Sequence, residues 1–409
     1  MIPRTLSSFA AIAVALVVPT SAPVAQAPSE SAAPVPYASI KSNDINYLGP
    51  GRAASYDLGG STVRIGLIVP LTGPNKPDGD AIIAAARLAL EDDAAQGPLP
   101  GNRRLALATG DESGPSWGRV ANSLLHLVQN DRAVAIVTSP NGSTAHLSEQ
   151  VGNRLGVAVL TLASDKTTTQ IDLPWIFRVA PNDTVQAETM ARDIYDSRGF
   201  QRVLLVTEDN HDGRLGGKEF ENAVRALHAP PPIRVSVDPS KPDSRALLAT
   251  VRSGSPQAVV FWTQSSTADV LVRALGEARV PLPIYLCQEA AQRGSDNHSA
   301  SAVANTASGI SGVWTVTRAE LTTSLQEDFA HRFRRATGTD PSVVAAQAYD
   351  AVRLIARAVR ETGPNRARVR DRIAGARNLA GASGTLGFDN EGNSLGEAHL
   401  VRLDERAAP

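Results

Sequence analysis

From residue 63 onward the chain alternates between two hydrophobic patterns. Short runs that are nearly all apolar and rich in Val, Ile and Leu fall at 63–70 (VRIGLIVP), 104–108, 133–137, 157–160, 202–206, 233–237, 258–261 and 284–286. Runs of that length without polar alternation suit strands covered on both faces. Amphipathic stretches lie between them. In 79–96, Ile82, Ala85, Ala86 and Ala89 share one stripe while Arg87, Glu91 and Asp92 stay off it. This predicts an α/β protein of mostly parallel sheets flanked by helices. The alternation runs once to about Pro181 and starts again at Asp183, which predicts two similar lobes.

Helix ends are marked by capping chemistry. Asp183 with Gln186 and Thr317 with Glu320 fit capping boxes, and Asp340 before Pro341 fits an N-cap followed by a pre-set first turn. The helix from Pro341 is expected to stop at Gly363-Pro364. In an open α/β lobe small ligands sit beyond the carboxyl ends of the strands, and a cleft between two lobes buries one almost completely. The cleft is therefore the place to look for function.

The first residues change the expected compartment. Arg4 gives a positive start, 9–18 reads FAAIAVALVV, and Ala25-Gln26-Ala27 fits a small-x-small cleavage site. A signal peptide over 1–27 is expected, with export to the periplasm; the apolar run is about half of the roughly 20 residues needed to span a bilayer. Residues 28–61 are rich in Pro, Ser, Ala and Gly and read as an N-terminal extension. The single cysteine, Cys287, precludes an internal disulfide and a cysteine-based metal cage. With 40 Lys and Arg against 41 Asp and Glu the formal charge is −1, so no nucleic-acid partner is expected.

Blocks along the chain resemble the leucine/isoleucine/valine-binding family of type I periplasmic solute-binding proteins. They include VRIGLIVPLTGP (63–74), ARLALEDDAAQG (86–97), AIVTSPNGSTA (135–145), VAVLTLASDKTT (157–168), WIFRVAPND (175–183), VLLVTEDNHDGR (203–214), PQAVVFWTQ (256–264), GVWTVTR (312–318), AAQAYDAVRLIARAV (345–359) and GTLGFDNEGNS (384–394). The collinear order carries the resemblance more than any one motif. It implies lobe one over 62–181 and 314–383, lobe two over 182–313 and 384–403, three hinge crossings, and a tail over 404–409. It also implies a monomeric carrier that closes on a small-molecule ligand and docks on an inner-membrane ABC permease.

The resemblance places the ligand contacts at Asn141, Gly142 and Ser143 and at Ala163, Ser164 and Asp165. Ser143 stands where a helix should begin, so it either offers its hydroxyl to an anionic group among free N–H groups or caps the helix. Three departures from the family pattern stand out. Asp165 replaces the usual threonine, Asp78 and Asp212 replace aromatic walls, and Thr267 falls where an acidic residue holds an α-ammonium. With Glu289, these aspartates form either a polar, cation-tolerant cleft or solvated loops. Trp117 and Trp262 are read as apolar wall or core.

No catalytic residue, cofactor or metal is expected. The chain lacks HExxH, GxSxG, GxxxxGK[ST] and a GxGxxG after its first strand. Histidines 126, 146, 211, 228, 298, 331 and 399 show no metal-ligand spacing, and His211, near Asp209 and Asp212, reads as a lone surface histidine. A sensory or accessory binding role, without transport, is the alternative, prompted by the segment 47–60.

Overall fold

Every apolar run forms a strand. The computed structural model describes residues 51–52, 60–113, 117–170, 173–292, 310–318 and 323–403. The expected signal peptide, most of the extension and the tail lie outside the described residues. Strands β1 (Thr62–Val69), β2 (Arg104–Asp111), β3 (Ala135–Thr138), β4 (Ala158–Thr161) and β5 (Ile176–Arg178) make a parallel sheet in the order β2-β1-β3-β4-β5. A second sheet joins β6 (Val203–Glu208), β7 (Ile233–Val237), β8 (Ala258–Trp262), β9 (Ile284–Leu286), β10 (Val313–Thr317) and β13 (His399–Arg402) in the order β13-β10-β9-β8-β6-β7. Only β13 runs antiparallel to its neighbour there. A hairpin of β11 (Leu379–Gly381) and β12 (Gly384–Leu386) stands apart.

Helices α1 (Lys76–Ala95), α2 (Trp117–Leu125) and α3 (Gly142–Leu155) cover the first sheet, and α4 (Asp183–Ala191), α5 (His211–Ala226), α6 (Ser244–Gly254) and α7 (Ser265–Glu277) belong to the second. Then α8 (Ser324–Thr337), α9 (Val343–Thr362) and α10 (Arg366–Ala374) return to the first lobe. One large core joins β1, β3 and β4 to α1 and α9 and includes Phe329 and Phe333 of α8. A separate core fills the second lobe. Among the described residues no helix is long and apolar enough to cross a membrane.

Two crossings fall later than the resemblance implies. β10 lies wholly in the second sheet, with Val313 and Val316 in that lobe's core and the Thr315 hydroxyl donating to Leu286 O at 2.8 Å, so the chain leaves lobe two after Thr317. The β11–β12 hairpin stays with lobe one because Leu386 and Phe388 pack into its core and Asp350 of α9 accepts from the N–H groups of Ala382 (2.8 Å) and Ser383 (2.7 Å). Lobe two therefore resumes after Phe388, not at 384.

Capping also differs in detail. Asn182, not Asp183, caps α4 by accepting from Val185 N. Thr317 is a strand residue, and the capping box there is Thr323 with Gln326; Glu320 lies outside the described residues. Ser342 caps α9, since Asp340 is engaged by Arg334. The predicted stop at Gly363 is where α9 ends. In each case the cap is the residue just before the first helical residue, one position earlier than expected for α4 and later than expected for α8 and α9.

At the crossings sits Arg178, 1% exposed. Its guanidinium donates to Asp165 O (2.7 Å), Thr168 Oγ1 (3.2 Å) and Asn393 Oδ1, joining the loop after β4 to the third crossing. Helix α5 comes close to the second sheet because it lacks side chains on one face: a Cβ on Gly216 would fall inside the Trp262 indole. That approach sets where the first residues of α5 enter the cleft. Gly216→Ala should therefore destabilise by about 1–3 kcal/mol through overpacking, read as a lower urea midpoint at unchanged slope. An unchanged midpoint would show that the helix shifts freely.

Candidate functional site

The carboxyl ends of both sheets face each other, and each delivers helix starts into the gap. Asn141 caps α3 and Asn210 caps α5, each accepting from the N–H three residues on. The two lobes touch through these starts. Gly142 N donates to Asp212 Oδ2 at 2.9 Å, Asn75 Nδ2 to Gln264 Oε1 at 2.8 Å, and the Ser265 hydroxyl to Asp78 Oδ2. His211 Nε2 lies 2.7 Å from Asp165 Oδ2.

The space between is acidic. An inner chamber of about 30 Å³ is lined by Asp78, Glu112 and Glu289 together with Asn75, Ser139 and Ser265, and by no lysine, arginine or histidine among the described residues. An outer vestibule of about 610 Å³ shares Asn75, Glu112, Asn141 and Gln264 with it and adds Ser143, Ser240, Trp117 and one basic residue, Arg119. The vestibule is the size of ordinary small-molecule sites. Trp117 is 62% exposed there, whereas Trp262 is buried in the second core.

Burial decides the protonation of these acids. It pushes Asp78, Glu112 and Asp183 up to about 7, although hydrogen bonds from Ser265, Ser139 and Ser164 pull each the other way. Asp212 rises to about 6 by burial and the nearby Asp165 charge, offset by the Gly142 N–H. Burial lifts Glu289 well above the carboxylate range, and the surrounding acids Asp212, Glu208, Glu112 and Asp183 add to it. Asp165 goes down. Burial opposes ionisation, but hydrogen bonds from His146, Thr167 and His211 outweigh it and hold the carboxyl well below its usual range.

A family model for the periplasmic binding proteins matches residues 62–404. The chain belongs to that family. The leucine-, isoleucine-, valine-, threonine- and alanine-binding protein of Pseudomonas aeruginosa is 24% identical over 347 residues, 83% of this chain and 89% of that protein. A Leu/Ile/Val-binding protein homolog of Brucella melitensis is 26% identical over 220 residues, which is 53% of this chain and 58% of that relative's length. Among solved structures, LivJ of Streptococcus pneumoniae, in complex with isoleucine, superposes with a TM-score of 0.72 at 18% identity, over 83% of this chain and 95% of that one. An R. palustris solute-binding protein in complex with benzoate gives 0.72 at 18%, over 84% and 93%. The likeness establishes the two-lobed type I fold.

Within this family frame the expected contacts divide. Asp78, Asn141, Gly142, Ser143, Asp212 and Glu289 border the gap. Ser143 is the second residue of α3 and does not cap it. The Ala163 N–H is taken by Thr161 Oγ1 (3.1 Å), and the Ser164 hydroxyl turns to Asp183 (2.6 Å), so these two support the hinge side. Thr267 is buried in α7. Asp165 is 3% exposed, not a solvated loop residue. His211 is likewise not a lone surface histidine, since His146 and Asp165 converge on it.

Other residues carried no signal along the chain. Glu112, Glu208, Ser265 and His146 reach the gap through strand ends and cross-lobe pairing that only the fold defines. Only the placement of Glu112 and Glu208 at or just after predicted strands could have pointed to them.

A proton ledger follows from these shifts. Asp78, Glu112 and Asp183 titrate higher folded than unfolded, so the folded protein holds extra protons between about pH 4 and 7. Their contribution is fully present below the unfolded values and is lost as pH rises through about 7. His146, raised to about 10 by Asp165 and Glu149, acts in the same direction above pH 6.5. The melting temperature of the solute-free protein should therefore fall from pH 5 to pH 8. A rise over that interval, in a thermal scan at fixed ionic strength, would rule out buried protonated acids in the cleft.

Proposed function

We propose that this chain is an exported, monomeric solute-binding protein that captures a small polar metabolite carrying a cationic group and delivers it to a branched-chain-type ABC permease. The observation that carries the reading is the chamber lined by three carboxylates without a basic side chain among the described residues. Uncompensated buried acids are costly, and a bound cation that ionises and pairs with them removes that cost. An amine, an amidine or an amino acid with its ammonium group inward suits this environment.

The departures from the family pattern support the same choice. The N–H of Gly142, expected to meet an anionic group, already donates to Asp212, so a ligand carboxylate would have to displace a protein carboxylate. Trp117 offers a ring face at the vestibule for a cation or an apolar tail. Capture proceeds by population shift, because a solute that touches both lobes favours the arrangement in which they meet. The family membership and the two-lobed fold support binding rather than catalysis.

Thermal-shift measurements with amines, polyamines, amino acids, amides and carboxylates test this. Ligand at about 100 times its Kd adds roughly 2.7 kcal/mol to native stability, so cation-bearing solutes should raise the melting temperature and simple carboxylates should not. No shift with any class would overturn capture and favour a sensory or accessory role. For a solute that binds, Glu289→Gln should weaken affinity by about 1.5–3 kcal/mol, the scale of a charge-assisted contact. Affinity should also rise from pH 5 to pH 8, because binding a cation requires Asp78 and Glu112, which titrate near 7, to give up their protons. A flat or falling profile would remove the acids from the contact set.

A further inference from the structure

One cluster at the edge of the cleft is not needed for holding an organic cation. His146 of α3, Asp165 after β4 and His211 at the start of α5 each bring one ligand-type atom to the cluster, and these atoms all lie within 4.8 Å of one another. Both imidazoles use Nε2. His146 Nε2 is 2.9 Å and His211 Nε2 is 2.7 Å from the same oxygen, Asp165 Oδ2. The rings meet edge to face with centroids 5.6 Å apart. In a tetrahedral zinc site, with bonds of about 2.1 Å, ligand atoms stand about 3.4 Å apart, so the two imidazole–carboxylate contacts would open by roughly 0.5–0.7 Å to accommodate an ion.

The surroundings are built as metal sites are built. Glu149, 2% exposed, engages the far nitrogen of His146 (Nδ1 to Oε1, 3.0 Å), which fixes the ring and aims Nε2 inward. Asp165 is oriented through its other oxygen, Oδ1, which accepts from Thr167 N at 2.8 Å and Thr167 Oγ1 at 2.6 Å. A second carboxylate stands beside the cluster. Asp212 Oδ1 is buried without a hydrogen-bond partner, and the position of a Cβ on Gly142 would collide with it while lying 3.1 Å from Asp165 Oδ2. His211 is 45% exposed by side chain, so an ion can enter from solvent.

We propose that His146, Asp165 and His211 bind a first-row divalent ion of the zinc, cobalt or nickel type, with Asp212 as a fourth ligand, and that the ion latches the two lobes together. Two nitrogens with carboxylate oxygen select these ions over calcium or magnesium, which prefer oxygen alone. Each imidazole must present an unprotonated Nε2 to the ion, so its contact with Asp165 Oδ2 is exchanged for a metal bond. His146 and Asp165 come from lobe one and His211 and Asp212 from lobe two, so the ion can be fully ligated only when the lobes meet. An ion and a solute that both favour this arrangement strengthen each other's binding.

The test uses the untagged mature protein, stripped with chelator, titrated with Zn2+ alone and then with Co2+. The expected results are one chelator-reversible Zn2+ per chain and the intense visible bands of four-coordinate cobalt. His146→Ala and His211→Ala should each weaken Zn2+ at least tenfold, and Glu149→Gln, acting only through His146, about tenfold. His331→Ala, on an exposed face of α8, should change nothing. If the His146→Ala/His211→Ala double variant binds Zn2+ as tightly as the parent, the cluster is a hydrogen-bonded ion pair only and the proposal fails. The latch fails separately if Zn2+ binds but leaves the radius of gyration by small-angle scattering unchanged. Solute binding measured in excess chelator reports on the acidic chamber alone, so failure there is distinguishable from failure here.

Discussion

The carboxylate of Asp165 lies out of water at the end of β4 and accepts hydrogen bonds from a backbone N–H, a hydroxyl and two imidazoles, one of which belongs to the other lobe. A buried charge persists only when it is compensated, so each of these groups is held in place by the charge it stabilises. Arg178 extends the arrangement, since its guanidinium grips the Asp165 carbonyl and reaches Asn393 on the third crossing. Through that pair the position of a cleft side chain and the position of the hinge are one mechanical problem. A residue that only lined a pocket would not couple the two.

The other acids behave in the opposite way. Asp78, Glu112, Asp183 and Glu289 have burial without enough donors, and their protons remain on them to higher pH. The gap therefore contains one firmly ionised carboxylate and several that respond to what enters. Such a site is most sensitive to the charge of its guest near neutral pH, because little work is then needed to change the protonation of the walls.

Much of this fold was legible in residue order. All eight runs became strands; the inner ones, such as β3, β4 and β8, are apolar throughout because they are covered on both faces, whereas the edge strands β2 and β7 stay partly exposed. The stripe in 79–96 likewise foretold α1. Helix starts were less legible, since Asn182 and Ser342 compete with Asp183 and Asp340 at neighbouring positions and geometry, not composition, chooses between them. The cleft was least legible. His146 and His211 show no spacing that would join them, and Ser265 answers Asp78 across a gap that exists only when two lobes are assembled. The anion site expected around Ser143 is an instance of the same limit, because the carboxylate that takes the Gly142 N–H comes from 70 residues away.

The edge strand β13 has a consequence for how the molecule comes into being. It pairs with β10, and its last residue, Arg402, lies opposite Trp314. The second lobe therefore lacks its outer strand until residues 399–402 are in place, and the first lobe waits on α9, whose side chains fill its core from more than two hundred residues beyond β1. Neither half can reach its final state from its early strands alone. Both must be completed by late, long-range contacts, which are slow to form and leave apolar surface open in the meantime. A chain wired in this manner folds slowly, and it calls for protection from aggregation until β13 and α9 have docked.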